Sequence, residues 1–174
     1  MLFNRSYYCK LKNQMENIVL IGMPGCGKST VGKLLSEITG KQFVDADSYL
    51  VEKYGRRIPE IFAADGEDGF RAMETEVLTE LGKQSGLIIA TGGGCVTQER
   101  NFPLLHQNGR IFWLQRELSL LPVDGRPLSQ TTDLSAMFAI RKPLYARFAD
   151  HIIDVNCDPN TAATAIFTIW EENQ

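Results

Sequence analysis

Gly22-Met-Pro-Gly-Cys-Gly-Lys28-Ser29 fits the pattern G-x-x-x-x-G-K-[ST] at every fixed position. Asn17 to Ile21, just before it, is short, apolar and β-branched, as a buried strand requires. From Lys28 onward, Val31, Leu34, Leu35 and Ile38 fall on one helical stripe, and Gly40 ends it. Strand, glycine turn and helix in this order lead the chain into an α/β architecture. Glycines let backbone N–H groups turn inward around phosphate oxygens, and the helix N-terminus adds its partial positive charge. Lys28 is placed to reach β- and γ-phosphates, and the Ser29 hydroxyl to sit on Mg²⁺. The competing reading is a chance strand-to-helix turn. The loop by itself does not separate a kinase from a GTPase or an ATPase, although the chain has no guanine-reading Asn-Lys-x-Asp run.

The same alternation continues along the chain. Gln42 to Val44, Leu87 to Ala90, Arg110 to Leu114 and Ile152 to Val155 read as further strands. Helical patterns separate them at 67–81, 134–148 and 161–172. Repeated βαβ units build a parallel sheet covered on both faces, with ligands beyond the carboxyl ends of the strands. Three strands end in unusual chemistry: the phosphate loop, Asp45-Ala46-Asp47, and Gly92-Gly93-Gly94.

Asp45 and Asp47 would face the same side of an extended chain. One carboxylate can hold Mg²⁺ through water, and the other can accept a substrate hydroxyl and its proton. Helix capping by Asp47 is the alternative. Arg71 and Glu74 share a helix face off the centre of the Phe70/Met73/Val77 stripe, where a charge reaches a pocket rim. The planar Arg fork matches a carboxylate, and a surface ion pair is the competing reading. The glycine triplet offers backbone amides at close range to a ligand, or is a plain loop. Asp124-Gly125-Arg126-Pro127 suits a mobile lid carrying an arginine, or an ordinary turn. Arg141 lies on the following helix, where a lone arginine is usually solvated. His106 and His151 have no partner pattern and are expected to be structural or exposed.

The 174 residues suit one domain, taken as 16–174 with a lid near 122–132. Residues 1–15 are expected to form a tail outside the fold, with Met15 a possible second start. A formal net charge of -3 argues against nucleic acid or an anionic membrane surface as partner. No stretch of about 18 consecutive apolar residues exists to span a membrane, and the N-terminus lacks a secretory h-region. Cys9, Cys26, Cys95 and Cys157 show no metal-ligand spacing and suit a reducing cytoplasm. The expected state is monomeric.

The stretches GMPGCGKSTVGKLL, FVDADSYL, IPEIFAADGEDGFRAMETEVL, ATGGGCVT, GRPL and RKPLYARFAD occur in the order and spacing of one family. Together they make residues 17 to 170 resemble the shikimate kinases. The resemblance implies a three-layer α/β/α fold of the P-loop kinase type with a five-stranded parallel sheet. It implies transfer of the ATP γ-phosphate to the 3-hydroxyl of shikimate, a step of chorismate and aromatic amino-acid synthesis. By position, Gly25, Cys26, Gly27, Lys28, Ser29 and Thr30 would bind ATP phosphates, with Ser29 and Asp45 serving Mg²⁺. Asp47 would hold the acceptor hydroxyls and act as base, and Arg71, Gly93 and Arg141 would bind shikimate. Arg126 would close from the lid onto ATP. The family tends to carry an arginine before the lid, absent from Leu118 to Val123, and Arg or Gln against adenine where this chain has Cys157. A gluconate-type or other small-molecule kinase and a non-catalytic nucleotide-binding domain are the alternatives.

Overall fold

The computed structural model describes residues 15–122 and 134–172. The apolar runs become Asn17–Ile21 (β1), Gln42–Asp45 (β2), Leu87–Ala90 (β3), Gly109–Gln115 (β4) and His151–Asp154 (β5). All pair in parallel, in the order β2-β3-β1-β4-β5. Every residue of β1 and β3 is buried, as strands covered on both faces must be, while the edge strands β2 and β5 are partly exposed. Each fully buried Ile or Leu contributes about 1.5–3 kcal/mol relative to exposure. The buried amide of Asn17 bonds the Gln84 carbonyl and the Leu87 N–H, both at 2.8 Å, so β1 and β3 start level.

The helices are Lys28–Thr39 (α1), Ala46–Tyr54 (α2), Ile58–Lys83 (α3), Asn101–His106 (α4), Leu134–Phe148 (α5) and Pro159–Glu172 (α6). Short 3₁₀ segments occur at Cys95–Thr97 and Leu118–Leu120. α1 packs against α6, and α3 against α2 and α4, giving helical layers over the sheet. The expected helix over 67–81 is the second part of α3, which begins nine residues earlier and is interrupted at Gly66 (φ 69°, ψ −172°).

The extended reading of Asp45 and Asp47 does not hold. Asp45 ends β2 and caps α2, accepting from the Ser48 N–H at 3.1 Å, whereas Asp47 is already in the first helical turn. Of the expected lid (122–132) and tail (1–15), residues 123–132 and 1–14 lie outside the described residues. Met15 is tied to the fold, its carbonyl accepting from Gly86 N–H at 2.9 Å. No helix among the described residues is long and apolar enough to cross a membrane.

Candidate active site

The strand register brings three loops to one level. Leu20 pairs with Ala90, and Asp45 pairs with Ala90 from the other side. The phosphate loop, the start of α2 and the glycine triplet therefore leave the sheet side by side. They open onto a cavity of about 620 Å³ whose floor includes Gly25, Gly27, Lys28, Ser29 and Thr30. Asp45, Asp47, Arg71, Gly93 and Arg141 are on its walls as well.

Gly27 is the N-cap of α1 with φ 103°, a left-handed backbone that a side chain would strain. The Lys28 ammonium folds over the loop, donating to the carbonyls of Gly22 (2.8 Å) and Met23 (3.0 Å). Ser29 Oγ donates to Asp45 Oδ2 at 2.7 Å, so the strand-end carboxylate and the first turn of α1 share one polar corner. These are hard oxygen donors of the kind Mg²⁺ prefers, so the pair fits that ion. Cys26 lies beneath the loop, 1% exposed, with Sγ facing Lys28 Nζ at 3.9 Å rather than the cavity. Cys157 is exposed at the turn between β5 and α6, its Sγ 3.7 Å from the Asp154 carbonyl, and is not on the cavity wall.

Another part of the cavity wall is built from buried charge. Arg71 is 4% exposed and Glu74 2%, so the pair is not at a pocket rim but deep in its wall. Arg71 Nη1 donates to Glu74 Oε2 at 2.8 Å and Nη2 to Glu67 Oε1 at 3.3 Å. Burial alone would lower the Arg71 guanidinium, but Glu74 and Glu67 outweigh it and hold it above its ordinary value. A Cβ on Gly94 would run into that guanidinium, which is why the fork can lie flat against the triplet. Arg71 Nε and Glu74 Oε1 are buried without a partner. Arg141 is likewise buried, at 8% exposure, and not a solvated surface arginine.

Three contributions escaped the sequence reading. Glu74 entered it only as an ion-pair partner of Arg71. Tyr145 donates to the Gly93 carbonyl at 2.5 Å, and its spacing of four from Arg141 on one helix was the available signal. Phe62 and Phe70, stacked at 4.6 Å, form an apolar wall with Ile58 and Met137. His106 does have a partner, Asp150 at 3.1 Å, at the opposite end of β4 from the site. Cys26, Cys95 and Cys157 are free thiols.

The family model for shikimate kinase matches residues 24–170. A shikimate kinase of Parasynechococcus marenigrum is 44% identical over 151 residues, covering 81% of this chain and 78% of its own. A solved structure, shikimate kinase from Acinetobacter baumannii in complex with shikimate, superposes with a TM-score of 0.84 at 34% identity, covering 95% of this chain and 98% of that one. The Aquifex aeolicus shikimate kinase gives 0.79 at 31% identity, covering 90% and 97%. With a phosphate loop, strand-end carboxylates and buried arginines around one cavity, and relatives matching across it, the chain belongs to the shikimate kinase family.

Proposed function

We propose that the enzyme transfers the γ-phosphoryl group of ATP to the 3-hydroxyl of shikimate, working as a monomer in the cytoplasm. One observation carries this reading: the phosphate loop, Asp47 and two buried arginines line the same cavity. The Acinetobacter relative whose structure holds shikimate supports it. Arg71 and Arg141 hold the acceptor's carboxylate, with the Gly93 backbone closing that end. Arg71 Nε, buried and without a partner, is a donor that a carboxylate oxygen would satisfy.

The triphosphate lies along the Gly25 to Thr30 turn, where backbone N–H groups and Lys28 hold its oxygens. Ser29 and Asp45 would hold Mg²⁺, which when bound neutralises charge on the β- and γ-phosphate oxygens. Asp47 accepts the proton of the 3-hydroxyl as its oxygen bonds to the γ-phosphorus. The bond from that phosphorus to the β-bridging oxygen breaks, and ADP leaves with the electron pair. Arg126, outside the described residues, is proposed to close onto the transferring group, a role worth roughly 10³–10⁵ in rate for comparable arginines.

ADP release measured with shikimate, gluconate and nucleoside monophosphates side by side tests the acceptor. Shikimate alone should drive turnover; turnover with gluconate or a nucleoside monophosphate in its place would refute the reading. Arg141→Ala should weaken shikimate binding by about 2–5 kcal/mol, as loss of one partner from a desolvated charge pair does. ATP binding should hold, and equal loss of both ligands would remove Arg141 from the acceptor site.

A further inference from the structure

Glu74 is the most buried charged side chain among the described residues on the cavity wall. The mechanism above gives it no role. Its Oε2 accepts from Arg71, but Oε1 has no hydrogen-bond partner. A Cβ on Gly92 would meet Glu74 Oε1 at 2.6 Å and Asp47 Oδ1 at 2.8 Å, so the two oxygens lie over the same glycine. Charged and titratable groups face Glu74 from each neighbouring element. Arg71 comes from its own helix, Asp47 from α2, the Cys95 thiol from the 3₁₀ segment and Arg141 from α5. Glu67 is bonded to the same Arg71. Two arginines thus meet three carboxylates, Asp47, Glu67 and Glu74, at the acceptor end before any ligand arrives. An acceptor carboxylate adds a fourth.

We propose that Glu74 takes up a proton from solvent when the carboxylate of shikimate docks on Arg71 and Arg141, the proton residing on Oε1. The inference rests on the acceptor reading above. A like charge brought into a desolvated site disfavours the ionised form of a carboxyl already there. Burial holds the Glu74 carboxyl above its usual range even without a ligand, with Arg71 and Arg141 opposing that shift and Asp47 adding to it. Protonation gives Oε1 a donor, in a place where a bare buried oxygen has no partner. Asp47, half-buried and so more open to solvent than Glu74, is the base of the reading above. Two neighbouring carboxyls are thereby divided into a neutral one and a base.

Calorimetric titration of shikimate into the full chain, in buffers of equal pH and different ionisation enthalpy, counts the protons taken up. Wild type should take up close to one proton per shikimate in the pH window between the titration of Glu74 without ligand and with it, which lies above the usual carboxylate range. The complex binds the extra proton, so affinity should fall by up to about tenfold per pH unit as pH rises through that window. The ligand's own carboxyl titrates near pH 4, and no histidine among the described residues lines the cavity to produce the slope. Glu74→Gln retains an oxygen for Arg71 and an N–H at the Oε1 position. It should bind shikimate with no buffer-dependent heat and a flat pH profile. Wild-type binding without proton uptake overturns the proposal, and so does uptake that persists in Glu74→Gln. If the variant does not fold, wild-type difference infrared decides: a protonated-carboxyl band should appear with shikimate, and its absence overturns the inference. Failure of shikimate to bind at all is a different result, which refutes the acceptor reading and this inference with it.

Discussion

Tyr145 shows how much of this site depends on single groups outside direct reach of a ligand. Its hydroxyl bonds the Gly93 carbonyl at 2.5 Å and also meets Arg141, one turn earlier on α5. Burial pushes the phenol well above its ordinary range, so it remains a protonated donor. The ring, with no exposure, stacks on Trp113 at 5.6 Å. Tyr145→Phe keeps that stacking and leaves the Gly93 carbonyl unsatisfied, at a cost of about 1–3 kcal/mol. With Gly93 and Arg141 in the acceptor roles proposed above, shikimate KM should rise about tenfold, the equivalent of ~1.4 kcal/mol, while ATP KM changes by less than about twofold. Steady-state kinetics against both substrates decide it. Parallel rises in the two KM values would assign the hydroxyl to general packing.

Individual helices place their residues by how they begin and where they break. α2 starts at Ala46 because Asp45 caps it, and that start, not extended-chain alternation, divides the two aspartates between the Ser29 corner and the Glu74 corner. α3 breaks at Gly66, whose φ 69°, ψ −172° conformation is open almost to glycine alone. The break lets the segment before it carry Ile58, Pro59 and Phe62 to the cavity, while Arg71 and Glu74 come from the segment after it. No atom lies within 4 Å of a Cβ placed on Gly66, so alanine there acts through the backbone alone. Gly66→Ala should cost about 1–3 kcal/mol of stability and raise shikimate KM with little change for ATP. Urea denaturation measures the first effect; an unchanged unfolding midpoint would show that the kink is not required.

At the scale of the whole molecule, Lys41 joins three distant parts of the chain. It is 8% exposed, donates from Nζ to the Glu16 carbonyl at 2.8 Å, and lies 4.9 Å over the Trp170 ring of α6. Burial pushes its ammonium down from 10.5 to about 8, against the opposing pull of Glu16. Between those values the unfolded chain keeps a proton that the folded chain sheds. Stability from this group therefore rises with pH across that interval. Urea unfolding at pH 8 and pH 10 should show a larger gain for wild type than for Lys41→Met, which keeps much of the apolar stem. Parallel behaviour of the two would place the pH dependence elsewhere.

Contiguous chemistry was legible without coordinates. The strand, phosphate loop and first helix lie within residues 17–40, and their signals need only neighbouring residues. Apolar runs located the five strands of the sheet, most plainly β1 and β3, since a strand buried on both faces has little room for polar residues. The helix before Gly66 went unread because a left-handed glycine interrupts the period that marks the rest of α3. Residue types and order thus determined the P-loop α/β fold and named the candidates at 47, 71, 93 and 141. Only tertiary structure decided that Arg71, Glu74 and Arg141 are buried and face one another. A charged residue on a lone helix looks the same in sequence whether water or another element covers it. Here α2, the glycine triplet and α5 cover them together, and that convergence makes three ordinary surface-type side chains into a desolvated, charged cavity wall.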